Sequence, residues 1–331
     1  MNLKIFCFMT VGPRSQQEDC ILITNQVFQG DNLIRDGSFG GKTMLLVVCD
    51  GMGGHAAGEK ASRFICKGLK KEFDPEQFSE KYFIRTMRAI QKNMTSHLPP
   101  RCGSTIVGMG VQNNQALVFN AGDSRLYKIT ENDIRCMSHD HSSVQEMVDR
   151  NIITEEEAFD HPRKNEITMG MGPIFDKEWP EEDSFKAVRE RSETNNAYID
   201  MAEVDEKIRA ADVYIAQDLF DEAMDIYTEI LACTPESYIY TRQFIQEKID
   251  LLTDTVSSRT PCRVNFCQEE LKPKTRYLIC SDGVNDVLRD HEIFNVFNKN
   301  RVDDGMALIH ELKNRNLKDN TSFIILEVLD Y

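Results

Sequence analysis

The sequence predicts an α+β protein: a β-rich domain carrying a few amphipathic helices and interrupted by an all-α insertion. Three observations predict it. Apolar, β-type segments separated by turns fill much of the chain before residue 139. Strongly helical sequence without a strand pattern runs from about 198 to 253, and strand-like segments resume after residue 261. The expected divisions are 1–177 and 262–331 for the two parts of the β-rich domain and 178–261 for the insertion.

In chain order, "LKIFCFMTVG", "DCILITNQVFQG" and "TMLLVVCDG" read as strands, parted by turns such as "GSFGG". Amphipathic helices follow over 58–73 and 75–95, and "LPP" at 98–100 stops the second. A strand meander comes next: "GSTIVGMGVQ", "QALVFNAGDSRLYKI" and "DIRCMS". Residues 139–172 are polar and charged, a surface lobe in which Thr154 and Glu157 suit a capping box. After the insertion, "CRVNFCQEEL", "TRYLICSDG" and "TSFIILEVLD" return to strand character.

The bulk numbers exclude several classes. With 331 residues, 41% hydrophobic and 28% charged, the chain has the make-up of an ordinary soluble protein. No apolar run approaches a membrane span, and "MNLKIFCFMT" reads as a first strand rather than a signal peptide. A net charge of −15 without a basic block argues against nucleic acid as a partner and is compatible with cation binding. The ten cysteines include Cys7, Cys49, Cys66 and Cys280, set singly in apolar segments, and no C-x-x-C pair occurs. Cys262 and Cys267 lack a matching histidine cluster, which disfavours zinc. A reduced, cytoplasmic compartment is the expectation.

Within the insertion, Ala211, Tyr214, Ala223, Tyr227, Ile230 and Pro235 occupy the small, aromatic, apolar and proline positions of a tetratricopeptide repeat. A single repeat cannot bury its apolar face alone. It would pack on the main domain, on a protein partner, or on its own copy through 198–253. A plain amphipathic hairpin without a binding role fits the pattern equally.

The chemistry starts at "LLVVCDGMGGHAAGEKAS", where a core strand ends on an aspartate and breaks into glycines. Gly51, Gly53 and Ala56 fit a dinucleotide fingerprint, but two successive helices and a proline break follow instead of a second parallel strand. Asp50 would also repel a pyrophosphate bound there. The alternative is a metal. "RYLICSDGVN" repeats the apolar-strand-to-Asp-Gly pattern at Asp282, and Glu18, Asp19, Asp123 and Asp319 sit at similar strand boundaries. Carboxylates without histidine or cysteine companions suit hard cations, Mg²⁺ or Mn²⁺. Arg14 could supply a guanidinium fork for a phosphate.

The ordered set "RSQQED", "DGMGGHAAGEKAS", "CGST", "AGDSRLY", "DHSSVQEMV", "CSDGVND" and "KDNTS" resembles the metal-dependent Ser/Thr protein phosphatase family (PPM, type 2C) in its bacterial form. The resemblance covers the chain except for roughly 173–261. It implies a four-layer α/β/β/α sandwich of two mostly antiparallel sheets flanked by helices, with Mn²⁺ or Mg²⁺ in a cleft between the sheet edges. By position, Asp50 would bridge two ions. Glu18 and the Gly51 carbonyl would complete one of them, and Asp282 and Asp319 would hold the other. Asp123 and Asp282 match the positions of a third ion. Arg14 would orient the substrate phosphate, Asp19 would act behind the ligands, and residues 139–172 match a flap beside the cleft. The implied reaction is attack of a metal-bridging hydroxide on phosphoserine or phosphothreonine of a protein substrate, without a phosphoenzyme.

Departures and rivals remain. Animal-type members carry His where this chain has Met52, and His55, at a helix start, reads as structural. Lys274-Thr275 replaces a favoured Gly-Asp, an altered turn. Ser124 and Ser281 lack a nucleophile-elbow context. His139 and His141, in a polar lobe, read as solvated. A catalytically silent phosphoprotein-binding scaffold and a phosphatase of small metabolites are the competing functions; no expected acid is missing, which favours an enzyme.

Overall fold

The computed structural model describes residues 2–39, 41, 43–53, 57–178, 201–216, 220–234, 245–246, 248–249, 264–299 and 303–329. The chain divides into two compact units, 1–179 with 264–331, and 180–263.

The larger unit is built on two six-stranded, wholly antiparallel sheets. The first has the order β11 (Ile134–Cys136), β10 (Arg125–Ile129), β13 (Arg276–Cys280), β14 (Thr321–Val328), β1 (Leu3–Thr10) and β4 (Leu33–Phe39). The second runs β12 (Asn265–Glu270), β9 (Gln115–Ala121), β8 (Ile106–Gln112), β5 (Thr43–Cys49), β2 (Cys20–Ile23) and β3 (Gln26–Phe28). A short ribbon pairs β6 (Gly51–Met52) with β7 (Gly103–Ser104).

Strand periodicity explains why both sheets are apolar throughout. On β1, Leu3, Ile5, Cys7 and Met9 face a core shared with Met44, Leu46 and Val48 of β5 and with Ile324 and Leu326 of β14. The alternate residues Phe6 and Phe8 face a second core formed with α7 (Asp282–Asn285), α8 (Asp290–Lys299) and α9 (Asp304–Asn314). On the far side, α1 (Ala57–Glu72) and α2 (Glu80–His97) cover the second sheet, Phe83 packing on Phe119 with ring centroids 5.2 Å apart. The four layers expected from the resemblance are present. Each fully buried Leu, Ile or Val contributes about 1.5–3 kcal/mol against the exposed state.

Three expectations need correction. "GSFGG" is not wholly a turn, because Gly37–Phe39 finish β4 and pair with β1. β4 is an edge strand with mostly exposed side chains, so no hydrophobic alternation marks it. The second helix starts at Glu80, five residues later than expected, because Ser79 caps it by accepting the Tyr82 N–H. Helices α8 and α9 were unexpected.

The lobe at 139–172 holds α3 (Ser143–Asp149) and α4 (Glu155–Phe159), the latter with the expected Thr154–Glu157 capping box. A 3₁₀ segment, Pro173–Glu178, follows.

The smaller unit contains α5 (Met201–Ala216) and α6 (Phe220–Cys233) around Val204, Ala211, Ala223, Tyr227 and Ile230. Tyr227 donates its hydroxyl to Asp212 at 2.9 Å. Tyr214 is exposed rather than packed, and Pro235 and Cys262 lie outside the described residues.

Candidate functional site

β5 is buried to Cys49, after which Asp50 emerges at the rim. Its backbone is clamped by Thr105. The Asp50 N–H donates to Thr105 Oγ1 at 3.1 Å, and the Thr105 N–H donates to the Asp50 carbonyl at 2.9 Å. Thr105 Oγ1 in turn lies 2.7 Å from Ser124 Oγ, beside Asp123. "CGST" and "AGDSR" therefore meet at the foot of Asp50. Sequence reading quoted Thr105 but gave it no role, since nothing in the sequence tells which strand end it would hold.

The residue after Asp50 has to be glycine for reasons of space. A Cβ at Gly51 would stand 2.1 Å from the Gly58 carbonyl oxygen and 2.7 Å from that of Glu18. The Gly51 N–H donates to that Glu18 carbonyl at 3.2 Å, so the loop bearing Glu18 is laced to the end of β5. Gly283, after Asp282, is constrained in the same way: a Cβ would meet the Asn320 carbonyl oxygen at 2.1 Å.

Asn320 is the second clamp that sequence reading missed. Its Oδ1 accepts the Glu18 N–H at 2.8 Å, and its Nδ2 donates to the carbonyls of Val11 and Gln16, both at 2.9 Å. The start of β14 thereby holds the loop carrying Arg14 and Glu18. Arg14 pairs with Asp319. Asp19 is fully buried and accepts the Ser281 hydroxyl at 2.9 Å. Both serines weighed as nucleophiles are thus engaged in holding site residues.

The carboxylates crowd one another. Burial first, then repulsion from Asp282, Asp19 and Asp123, holds Asp50 well above the usual carboxylate range. Asp123 is raised by burial and by Asp282. Asp19 is pushed up to about 7 and Asp282 to about 6, burial again leading and neighbouring acids adding. Burial also raises Glu18, with Arg14 partly offsetting it. One oxygen each of Asp19, Asp123 and Asp282 is buried with no hydrogen-bond partner.

Buried acceptors without donors, in carboxylates that repel, are costly unless a cation joins them. Among the described residues no three side chains already close into a cage that could hold an ion. The donor set nevertheless fits a hard divalent cation: oxygen only, partly unpartnered and mutually repelling.

Asp123 and Asp282 also border a cavity of about 420 Å³, walled by the flap on one side and by α7 and the start of α8 on the other. The flap root is firm. Arg125 grips Asp140 with Nε at 2.9 Å and Nη2 at 2.7 Å from Oδ2. His141, expected to be solvated, accepts the Gly122 N–H at 3.1 Å, while the His141 N–H donates to the Gly122 carbonyl at 2.9 Å. His139 is half exposed and faces Asp149. His55 lies outside the described residues, as does Ala56 of the rejected nucleotide fingerprint.

Residues 13–147 match the protein phosphatase 2C family. The chain is 29% identical over 139 residues to the serine/threonine phosphatase Stp of Listeria welshimeri, covering 39% of this chain and 55% of that one. It thus spans little more than half the length of such curated relatives. Its fold is similar to that of the serine/threonine phosphatase Stp1 from Staphylococcus aureus, with a TM-score of 0.62, 23% identity, and coverage of 98% of this chain and 95% of the other. It is also similar to the catalytic domain of the serine/threonine protein phosphatase PstP, solved with two manganese ions, with a TM-score of 0.58 and 18% identity over the full length of both chains. No helix among the described residues is long and apolar enough to cross a membrane.

Proposed function

We propose, from the protein phosphatase 2C domain that this chain carries, that it is a metal-dependent serine/threonine protein phosphatase. The observation that carries the reading is the set of carboxylates, Asp19 and Asp123 buried and Asp50 and Asp282 partly so, which repel one another and leave three oxygens unpartnered. Asp50 with Glu18 and the Gly51 carbonyl would hold one Mn²⁺ or Mg²⁺ ion, and Asp50 with Asp282 and Asp319 a second. Asp123 with Asp282 would hold a third. Bound there, the ions would activate water and neutralise charge on the phosphoryl group.

The chain's own residues do the positioning. Thr105 and Asn320 fix the backbones of Asp50 and Glu18, so only side chains have to turn for the acids to take up a cation. Arg14, about half exposed beside Asp319, can turn its guanidinium fork to two phosphate oxygens of phosphoserine or phosphothreonine. Asp19, held by Ser281, lies behind the rim without facing solvent and would add negative charge once a bound cation draws off its proton.

The test is phosphate release from a phosphothreonine peptide with Mn²⁺, beside an Asp50→Asn variant and a chelator control. Mn²⁺-dependent release, absent in both controls, is the expected result. Folded protein that binds Mn²⁺ and releases nothing would favour the phosphoprotein-binding scaffold instead. We further propose that the insertion recruits a partner or pairs with its own copy, a reading supported by the exposed Val213 and Tyr214 of α5.

A further inference from the structure

The flap has a firm root and a tip that apolar burial does not hold. None of the residues of α4 is buried, and α3 buries Val144 alone. Five residues of helix without a fully buried side chain cannot fix their own position. Charged contacts hold the tip instead.

Lys164 Nζ reaches Asp286 Oδ1 at 2.7 Å, with both side chains only about a quarter exposed or less. The pair joins residues 122 positions apart. Phe159, at the end of α4, lies under two cations: Arg289 Cζ is 4.4 Å from its ring centroid and Lys164 Nζ 5.5 Å. Arg289 also reaches Asp160 at 3.4 Å.

The anchor side is rigid. The Asp286 N–H donates to the Asp282 carbonyl at 2.7 Å, closing the single turn of α7. Val284 and Leu288 sink that turn into the helical core. The flap tip is thereby tied to the turn that bears Asp282, and the tie forms one wall of the 420 Å³ cavity.

We propose that the Lys164–Asp286 pair is a latch that fixes the flap tip and so shapes the wall a phosphopeptide must lie against. Both are positioning residues, and neither touches the reacting phosphate. The pair then sets selectivity for peptide over small phosphomonoesters, because a small ester occupies the carboxylate rim without needing the wall. Removing one partner of a pair this withdrawn from water leaves the other charge poorly solvated, so breaking it costs more than breaking a surface pair. The selectivity part of this inference rests on the phosphatase reading; the latch itself does not.

The test uses the full chain with Lys164→Gln, Asp286→Asn and the exchanged pair Lys164→Asp with Asp286→Lys. It reads kcat and KM for a phosphothreonine peptide and for p-nitrophenyl phosphate with Mn²⁺, together with amide hydrogen exchange over 155–166. Expected in Lys164→Gln are faster exchange at the tip and a roughly five- to ten-fold rise in peptide KM, with the small ester changed less than about two-fold. The exchanged pair should recover much of both. Unchanged exchange in the single variants would overturn the latch. An equal fall in kcat for both substrates would overturn the positioning role, since Lys164 would then act on the phosphate. If the wild type turns over neither substrate, the phosphatase reading fails, while the exchange measurement still decides the latch.

Discussion

Asp50 and Asp282 repel each other at one rim although they follow strands of different sheets, β5 in one and β13 in the other. The meeting follows from stacking two sheets so that the same rim collects the ends of both. It places two carboxyl groups where neither can ionise cheaply, a disposition costly for folding and suited to capturing a cation.

That cost makes the first prediction. Asp50→Asn removes a proposed bridging ligand, and Mn²⁺-dependent phosphate release should fall at least 10²-fold. The same change removes a repelled group, so the metal-free variant should melt no lower than the metal-free wild type, with a gain of about 1 kcal/mol reasonable for such a site. Release assays and melts in chelator, run on one preparation, check both halves. A variant that loses activity only by unfolding would contradict the second.

The pH dependence follows from the raised carboxyl groups. Asp19 at about 7 and Asp282 at about 6 hold protons in the folded state that the unfolded chain gives up near the model-compound value of 3.8. Their contribution to stability is therefore full below pH 4 and is lost as the pH rises through 6 to 7. Metal-free protein should lose roughly 5 °C or more of melting temperature across that window, and saturating Mn²⁺ should restore more at pH 7.5 than at pH 5. Melts from pH 4 to 8, with chelator and with Mn²⁺, measure it. A melting temperature that climbs with pH in chelator would be the opposite sign.

Asn320 carries the third prediction. It is almost fully buried and makes three hydrogen bonds to the loop bearing Arg14 and Glu18. Asn320→Ala takes this partner from the Glu18 N–H and the Gln16 carbonyl, while the Val11 carbonyl keeps the Arg14 N–H, and should cost about 1–3 kcal/mol, with weaker Mn²⁺ binding because Glu18 loses its anchor. Denaturant melts and Mn²⁺ titration read the two effects separately.

Asn320 also shows how far the sequence was legible. The rim acids could be found because an apolar run ending in Asp-Gly is a local signal, present at Asp50 and again at Asp282. The four layers could be expected from motif order. The clamps could not: Asn320 acts on Glu18 across 302 positions, and Thr105 acts on Asp50 across 55. A polar residue at a strand start looks like a turn until its partner is known. β4 escaped for another reason, since its pairing is mostly backbone, with one Lys4–Asp36 ion pair beside it, and its largely exposed side chains carry no pattern.

Lys274 supplies a prediction away from the rim. It adopts φ +64° in the turn between β12 and β13, a region that disfavours a side chain, and its N–H donates to the Val328 carbonyl at 2.8 Å. Lys274→Gly keeps that bond and relieves the strain, against the greater entropy of an unfolded glycine. The net should be a gain of up to about 1 kcal/mol with phosphate release unchanged. A denaturant midpoint that falls would show that the turn is not strained by its lysine.

The insertion gives the last prediction. Val213 is 55% exposed and Tyr214 36% exposed on adjacent positions of α5, while Ala211, Ala223 and Tyr227 fill the interior of the same unit. An apolar pair turned outward contributes nothing to that interior, so replacing it should leave the unit folded. Val213→Asp with Tyr214→Ser should therefore hold the melting temperature within about 2 °C, because surface substitutions away from packed groups cost little. If the unit pairs with its own copy through this patch, sedimentation of the variant should report monomer where the wild type reports dimer. If it recruits a substrate instead, both should sediment alike, and the variant should lose turnover of the phosphoprotein while retaining that of a short phosphopeptide. Identical behaviour in all three measurements would remove the patch from consideration as a contact surface.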